Sequence, residues 1–205
     1  MIAILDYGFG NVKSVWNALD ALGEDPYLAA EGKELDQATH LIIPGVGSYD
    51  VAMAELQARD LFEPVACYVR SGRPLLGICL GMQLLGDYGE EGKGARGLGL
   101  IPGQILSFPD SSGLDVPHAG WNTARLRSGH PVFSGLPEHS DFYFVHSYRF
   151  VCAEPEHVWG TTDYGEDFCS VVGSQNVLGV QFHPEKSQKK GLRLLENFCE
   201  WDGKC

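Results

Sequence analysis

The stretch PLLGICLGMQLL, residues 74–85, places a cysteine between two glycines where an apolar, strand-like run gives way to a helix-like one. In this G-x-C-x-G pattern, Gly77 and Gly81 permit a sharp strand-to-helix turn and a close approach of the helix. Cys79 would then project from the carboxyl edge of a sheet at a helix N-terminus, where backbone N–H groups and the helix dipole favour the thiolate. A nucleophilic cysteine and a buried core cysteine in a glycine-rich turn fit the pattern equally well.

Strands and helices alternate on either side of this stretch. The run IAILD reads as a buried strand, and Asn11 is a candidate N-cap for the helix after it. THLIIPG predicts the next strand, YDVAMAELQARDLFEPVACYVRS is mostly helical, and RPLLGI is a strand before the helix that follows Cys79. This alternation predicts a parallel α/β fold. The first helix would carry on one face Val12, Val15, Trp16, Leu19 and Leu22.

From about Gly103 the sequence becomes rich in β-branched and aromatic residues separated by Gly, Pro and Asp. The runs QILSF, GWNTARL, FYFVHSYRFV, HVWGTTDY and VLGVQFH are therefore predicted as further strands. No internal repeat, low-complexity segment or linker interrupts the chain, so one domain over residues 1–205 is expected. The last helix, KKGLRLLENFCEW, should turn toward the core Leu192, Leu195, Phe198 and Cys199.

The composition excludes several classes of protein. With 15 Lys and Arg against 27 Asp and Glu, the formal net charge is -12, which argues against binding to nucleic acid or to an anionic membrane. MIAILDYG lacks the features of a secretion signal, and no apolar run approaches the ~20 residues that span a bilayer. A cytoplasmic protein is expected. Its six cysteines, at 67, 79, 152, 169, 199 and 205, form no C-x-x-C pair, and most should be buried apolar residues or free thiols.

A nucleophilic cysteine requires a base, and GVQFHPEKS supplies His183 with Glu185 two residues further along. At the end of a predicted strand, period-two geometry would point both side chains the same way, with Pro184 making the alignment approximate. His183 could hold the thiolate as an ion pair and protonate a leaving amine, while Glu185 fixes its tautomer. A structural histidine in a solvated turn is the alternative. The other six histidines lack such an arrangement.

The run LIIPGVGSYD ends another predicted strand with two glycines, which let backbone N–H groups approach a substrate and let a peptide rotate. Together with the Leu80 amide, this loop could form an oxyanion hole, although it also fits an ordinary turn. A metal site built from Cys79, His183 and Glu185 is a weaker reading, because no fourth ligand or metal-like spacing is present.

In this order and spacing, PGVGSYD, GICLGMQLL and VQFHPEKS resemble the class I glutamine amidotransferases. The resemblance implies a flavodoxin-like α/β fold, with a central, mostly parallel sheet flanked by helices and additional antiparallel strands. It implies a Cys79–His183–Glu185 triad that hydrolyses the side-chain amide of glutamine through a glutamyl thioester and releases ammonia for a synthase. The oxyanion hole would be formed by Val46, Gly47 and Leu80.

The same resemblance implies a set of substrate contacts. Gln83, one helical turn beyond Cys79, should help to hold glutamine, and an acidic residue after the helix should bind its amino group. By spacing that residue is Glu91, but GDYGEEGKG has glycines where a firmer helix end is typical, which leaves Glu90 as an alternative. The remaining contacts are expected at Gly45, His146, Ser147 and Tyr148.

Four further strings, DYGFGNVKSV, GLGLIPG, VPHAGWN and FYFVHSYRF, resemble one subgroup of this family, glutaminase subunits of histidine biosynthesis. The resemblance implies a heterodimer with a (β/α)₈-barrel cyclase that acts on a phosphoribulosyl-formimino carboxamide ribonucleotide, and no metal or organic cofactor in the glutaminase. Independently, the motifs and their scaffold occupy residues 8–185 and leave no room for an acceptor domain, so a separate synthase subunit is implied. The interface or ammonia channel is expected at Asn11, Trp121, Tyr143 and Lys186.

Other functions remain open at this point. A cysteine hydrolase or peptidase of the same fold would share the cysteine and histidine, although Gln83 and the PGVGS loop favour glutamine. A non-catalytic binding module is disfavoured because all three triad residues are present. Within the family, a glutaminase that feeds another synthase, for example one that amidates a surface sugar, is the main alternative.

Overall fold

The structure is a computed structural model that describes residues 1–109 and 113–204, so Cys205 lies outside the described residues. Its strands are β1 (Ile2–Leu5), β2 (Pro26–Ala29), β3 (His40–Gly45), β4 (Leu75–Cys79), β5 (Tyr88–Gly89), β6 (Ala95–Arg96), β7 (Gly103–Ser107), β8 (His118–Leu126), β9 (His139–His146), β10 (Tyr148–Cys152), β11 (Val158–Asp163), β12 (Asp167–Ser174) and β13 (Val177–Val180). Its α-helices are α1 (Val12–Ala21), α2 (Tyr49–Ala58), α3 (Phe62–Arg70), α4 (Leu80–Gln83) and α5 (Gln188–Glu200). Its 3₁₀ turns are Gly32–Leu35, Pro131–Phe133, Pro155–His157 and Pro184–Lys186.

The strands form one mixed sheet in the order β2-β1-β3-β4-β13-β12-β10-β7-β5-β6. The first five strands of this order are parallel to one another. Beyond β13 the pairing is antiparallel, apart from the parallel pair of β5 and β7. A branch leaves the main sheet at β12, which also pairs with β11, and continues through β8 to β9. The predicted α/β fold, with a mostly parallel centre and additional antiparallel strands, is confirmed.

The core lies on both faces of the parallel strands. Along β1, Ile2 and Ile4 pack into one apolar cluster and Ala3 and Leu5 into the other, because successive side chains of a strand point to opposite faces. Helices α1 and α5 cover the first face, and α2, α3 and α4 cover the second. Both faces are therefore buried, which explains why β1 reads as a continuous apolar run.

The predicted helical faces are confirmed at both ends of the chain. In α1, Val15 and Leu19 are fully buried, and the other three predicted residues pack partly buried against the same cluster. In α5, Leu195 and Phe198 are fully buried, and Leu192 and Cys199 are partly buried against the same cluster. Leu194, which was not predicted to face the core, is also fully buried. None of the helices within the described ranges combines the length and apolar character that a bilayer crossing needs.

Several features differ from the sequence-based expectations. Strands β2, β5, β6 and β12 were not predicted. β2 is a four-residue edge strand that begins with Pro26, β5 and β6 have two residues each, and β12 mixes acidic and small residues with apolar ones. The run FYFVHSYRFV is divided at Ser147 into β9 and β10. The helix after Cys79 spans only four residues, because Leu85 N and Gly86 N donate to the carbonyl oxygens three residues before them and continue the chain as a turn.

Candidate active site

The turn at Cys79 depends on its two flanking glycines. Cys79 ends β4 opposite Gly45 of β3 and directly precedes α4, with φ 55° and ψ -110°. A Cβ at Gly81 would lie 1.8 Å from the Ile43 carbonyl oxygen, and one at Gly77 would lie 2.6 Å from the Gly81 carbonyl oxygen. No other residue fits at these distances, so the predicted sharp turn and close helix approach are confirmed.

The Cys79 sulfur lies in a nearly enclosed position. The residue is 6% exposed, and its Sγ lies 3.7 Å from the Val145 carbonyl oxygen and 3.7 Å from Gln181 Nε2. The carbonyl can accept a hydrogen bond from a thiol, and the amide can donate one to sulfur. Val145 lies in β9 and Gln181 directly follows β13, both distant from Cys79 in sequence. The order of strands in the sheet therefore determines the surroundings of the sulfur.

His183 and Glu185 form the closest ionisable pair of the site. His183 Nδ1 lies 2.8 Å from Glu185 Oε1, and both side chains are within 1% of complete burial. Asn11 Nδ2 donates to the same carboxylate oxygen over 3.3 Å. The expectation that a strand aligns this pair is wrong: β13 ends at Val180, and the 3₁₀ turn Pro184–Lys186 brings the two side chains together.

The protonation of His183 follows from these contacts. Burial disfavours its charged form, but the Cys79 side chain and the Glu185 carboxylate outweigh burial and raise its pKa to about 9. Because Nδ1 faces the carboxylate, Nδ1 carries the hydrogen and Nε2 is the atom that exchanges a proton. Within the described residues Nε2 has no hydrogen-bond partner. The imidazole is therefore oriented by Glu185 and available to the thiol.

A cavity of about 400 Å³ opens beside the sulfur. It collects most of the residues that the sequence analysis selected as oxyanion-hole or substrate contacts. Gly47 adopts φ +106° at its mouth, a conformation that favours glycine. Gly45 is not among the lining residues; it is paired with Cys79 and packs against Gly81, Leu80 and Tyr7. The cavity is lined by Val46, Gly47, Cys79, Leu80, Gln83, Glu91, Pro117, Val145, His146, Ser147, Tyr148 and His183.

The side chains of the adjacent residues Glu90 and Glu91 have different surroundings. Glu91 lines the cavity, and its Oε2 accepts a hydrogen bond from Tyr49 N over 2.7 Å. Burial raises the pKa of the Glu91 carboxyl and outweighs the hydrogen bond from Tyr49, which lowers it. The charge of Asp50 raises this pKa further. Glu90 instead accepts bonds from the backbone and hydroxyl of Ser107, which lower its pKa. Of the two, Glu91 is the carboxylate that faces the cavity.

A histidine pair at the cavity wall, of which His146 lines the cavity, was not predicted from the sequence. His146 Nε2 lies 2.9 Å from His118 Nδ1, and His146 Nδ1 lies 2.8 Å from the Tyr148 carbonyl oxygen. Burial lowers the pKa of His146 to about 3 and that of His118 to about 4, so both rings are neutral. The carbonyl then places the hydrogen of His146 on Nδ1, and His118 donates to its Nε2. Twenty-eight positions separate the two residues, so no local pattern could have indicated the pair.

The residues expected at an interface or channel divide into two groups. Trp121 and Tyr143 are directly opposite each other on β8 and β9, with ring centroids 6.3 Å apart, and Trp121 is 50% exposed. Lys186 is also exposed, in the 3₁₀ turn that follows His183. Asn11 belongs to the catalytic cluster instead, because its side chain bonds to Glu185; it occupies the N-cap position of α1 without capping the helix through its side chain.

Residues 3–201 match the family model of glutamine amidotransferase class-I. The match covers nearly the whole chain and includes the cysteine turn, the histidine–glutamate pair and the cavity between them. The chain therefore belongs to the class I glutamine amidotransferase family.

Comparison with related sequences shows to which subgroup of this family the chain belongs. The chain is 46% identical to the imidazole glycerol phosphate synthase subunit HisH of Desulfitobacterium hafniense, over 98% of this chain and 94% of that protein. It is 47% identical to the HisH subunit of Moorella thermoacetica, with 97% and 94% covered, and 46% identical to that of Methanosarcina barkeri, with 97% and 98% covered. Within the class I family, the chain belongs with the HisH subunits of imidazole glycerol phosphate synthase.

Solved structures support the fold. The structure of PurLQS from Thermotoga maritima superposes with a TM-score of 0.78 at 19% identity, covering 97% of each chain. A glutamine amidotransferase crystal structure gives a TM-score of 0.75 at 20% identity, again covering 97% of each chain. At these identities the likeness concerns the architecture alone.

Proposed function

We propose that this chain hydrolyses the side-chain amide of L-glutamine and passes the ammonia to a synthase subunit. The observation that carries the proposal is the arrangement of Cys79, His183 and Glu185 at one wall of a cavity, in a chain that belongs with the HisH subunits. In this assignment Cys79 is the nucleophile, His183 the acid and base, and Glu185 the residue that orients the imidazole. Residues 1–205 would form a single glutamine amidotransferase domain.

The first half of the reaction forms a thioester. Because its pKa is raised to about 9, His183 holds on Nε2 the proton given up by the thiol, and the Cys79 sulfur attacks the amide carbon of glutamine. The electron pair of the carbonyl moves to its oxygen, which the backbone amides of Val46 or Gly47 and of Leu80 would stabilise as an oxyanion hole. As the C–N bond breaks, His183 gives the proton to nitrogen, and ammonia leaves.

The second half regenerates the enzyme. A water molecule replaces ammonia, and His183 takes one of its protons as the oxygen attacks the thioester carbon. The C–S bond breaks, the sulfur recovers a proton from His183, and glutamate leaves the cavity. Glu185 holds Nδ1 throughout, so each proton is exchanged at the same nitrogen.

The cavity offers complementary groups for the rest of the substrate. The carboxylate of Glu91 faces the cavity and would bind the α-ammonium group of glutamine. The backbone of His146, Ser147 and Tyr148 would bind the α-carboxylate, and Gln83 would contact the substrate from the first turn after the nucleophile. Gly45 contributes by allowing β3 to approach α4 rather than by touching the substrate.

The second subunit follows from the assignment to the HisH group. We infer a (β/α)₈-barrel cyclase as partner in a heterodimer, which uses the ammonia to form imidazole glycerol phosphate and AICAR in histidine biosynthesis. The exposed Trp121 and the neighbouring Tyr143, with Lys186, form the face that we assign to this interface and its ammonia channel. The cytoplasm is the expected compartment, because Cys79 must remain a free thiol.

The proposal is tested by trapping the thioester. The chain together with its synthase partner should form a glutamyl adduct on Cys79 from labelled glutamine, detected by rapid acid quench and mass spectrometry. The Cys79→Ala variant is the matched control and should form none. An adduct formed from peptides and not from glutamine would instead establish a cysteine peptidase. The partner is identified by mass spectrometry of the proteins that copurify with this chain, and a synthase of another kind would replace the cyclase assignment.

A further inference from the structure

We propose that Gln181 is a further catalytic residue, which donates a hydrogen bond to the Cys79 sulfur and stabilises its anionic form. The inference rests on the proposed function and adds a residue to that site. Gln181 is fully buried, lies two residues before His183, and places Nε2 3.7 Å from Cys79 Sγ. Gln181 is not among the residues that line the cavity.

The orientation of the Gln181 amide is determined by a chain of contacts that ends at a backbone carbonyl. Gln83 Nε2 lies 3.1 Å from the Tyr148 carbonyl oxygen, which can only accept a hydrogen bond, so this end of the Gln83 amide must be NH₂. The same Nε2 lies 3.1 Å from Gln181 Oε1. Since the donor is Gln83, the acceptor end of Gln181 faces it, and the NH₂ end of Gln181 must face the sulfur.

The two contacts of the sulfur favour opposite charge states. The Val145 carbonyl oxygen accepts from the S–H of a neutral thiol and repels a thiolate. The Gln181 N–H favours the thiolate, because a hydrogen bond to an ionised acceptor is stronger than one to a neutral acceptor. The Gln181 amide therefore stabilises the thiolate by a hydrogen bond, whereas His183 both stabilises it and exchanges a proton with it.

This donor would act at two steps of the proposed reaction. It stabilises the thiolate that attacks glutamine, and it stabilises the same thiolate when it leaves the thioester carbon during hydrolysis. Its other end fixes Gln83, whose Nε2 has both hydrogens engaged, by Tyr148 and by Gln181. Gln83 therefore keeps only its carbonyl oxygen for a substrate and can only accept from it.

Other titratable groups also face the thiol. His183 follows β13 in the chain, and the Cys79 side chain contributes to its raised pKa. Tyr7 approaches from the loop after β1; burial raises its pKa and its hydroxyl donates to the Pro44 carbonyl oxygen, so it stays neutral. Glu91 and His146 line the cavity that the thiol faces. Any test must therefore change Gln181 while leaving these four groups in place.

The test measures thiol ionisation in the absence of glutamine. The full chain is treated with iodoacetamide across a pH series, and alkylation of the Cys79 and Cys67 peptides is followed by mass spectrometry. Gln181→Met removes the donor at similar volume, and Gln181→Glu removes it while keeping an acceptor for Gln83. We expect both variants to slow the alkylation of Cys79 near pH 7 by about tenfold relative to the parent chain, because the reactive thiolate has lost a hydrogen-bond donor.

Controls separate this role from a structural one. Gln104 is exposed on β7, so Gln104→Met and Gln104→Glu make the same changes away from the site and should alkylate like the parent chain. Cys67 is exposed and serves as the internal reference. Unchanged pH profiles of Cys79 in folded Gln181 variants, even with lower melting temperatures, would overturn the proposal.

A second measurement uses the complex with the synthase partner. The Gln181 variants should lose about tenfold in kcat for glutamine hydrolysis with a smaller change in KM, because the amide contacts the reacting sulfur and not the substrate. A loss confined to KM would overturn the proposal. If the parent complex does not hydrolyse glutamine, the proposed function fails, while the alkylation profiles still decide whether Gln181 stabilises the thiolate.

Discussion

Replacing Glu185 by Gln tests the part of the site that is most completely buried. The substitution keeps the size of the side chain and removes one negative charge 2.8 Å from His183 Nδ1. An amide at this position can also present an N–H to Nδ1, which would move the imidazole hydrogen to Nε2. The nitrogen that must accept the thiol proton would then already carry one.

The magnitude follows from the pKa of His183. A rise from the ordinary 6.5 to about 9 corresponds to about 3 kcal/mol in favour of the imidazolium, to which the Cys79 side chain and the Glu185 carboxylate both contribute. Burial acts in the opposite direction and is unchanged by the substitution, so removal of the carboxylate charge lowers this pKa. Because the substitution both lowers the pKa of His183 and favours the wrong imidazole tautomer, we expect kcat to fall by about 10³ to 10⁴.

The assay is the pH dependence of glutamine hydrolysis by the complex. In the parent, kcat should decline as pH rises through about 9, since a neutral imidazole cannot protonate the departing nitrogen. In the variant, the residual activity should decline at lower pH. kcat is the appropriate quantity because the amino group of free glutamine also titrates and affects kcat/KM. Glu154→Gln makes the same charge change on the surface and should be neutral; a loss below tenfold with an unmoved alkaline limb would refute the reasoning.

Four further outcomes are expected. Cys79→Ala should abolish glutamine hydrolysis while the complex still uses added ammonium, measured as product formation with either nitrogen source; full glutaminase activity would exclude Cys79 as nucleophile. His183→Asn should lower kcat by several orders of magnitude, and retention of more than about a tenth of the rate would exclude general acid–base catalysis by this residue. Gly81→Ala should destabilise the fold by at least ~2 kcal/mol in urea unfolding, because its Cβ would lie 1.8 Å from the Ile43 carbonyl oxygen; an unchanged midpoint would contradict the packing. Partner and acceptor analogue together should raise kcat of the isolated chain about 10² to 10³-fold if rotation of the peptide between Val46 and Gly47 completes the oxyanion hole, whereas equal kcat in all states would exclude that switch.

The elements that could be predicted from the sequence are those with a strong local pattern. The turn at Cys79 could be predicted because two glycines and a strand-to-helix change lie within five residues. The pair of His183 and Glu185 was predicted as well, but through strand geometry, whereas proline in fact starts a 3₁₀ turn there. Strand β12 escaped prediction because its stability depends on pairing with β10, β11 and β13 rather than on its own composition.

Residue-level contacts across the site could not be read from the sequence. Glu90 and Glu91 are adjacent, and only the hydrogen bonds from Ser107 and from Tyr49 determine which of them faces the cavity. The contact between Gln181 and the Cys79 sulfur spans 102 positions and requires β13 to lie beside β4. Such contacts follow from sheet order, which depends on how the whole chain packs.

The backbone conformation of Cys79 matters for any attempt to raise the thermal stability of this chain. A non-glycine residue at φ 55° and ψ -110° is held in a sparsely populated conformation at a cost of the order of 1–3 kcal/mol. Glycine would relieve that cost, so a library selected only for thermal resistance should enrich Cys79→Gly and discard the nucleophile. Screens for heat tolerance should therefore hold position 79 constant or include a turnover readout, because stability and activity make opposite demands on this one residue.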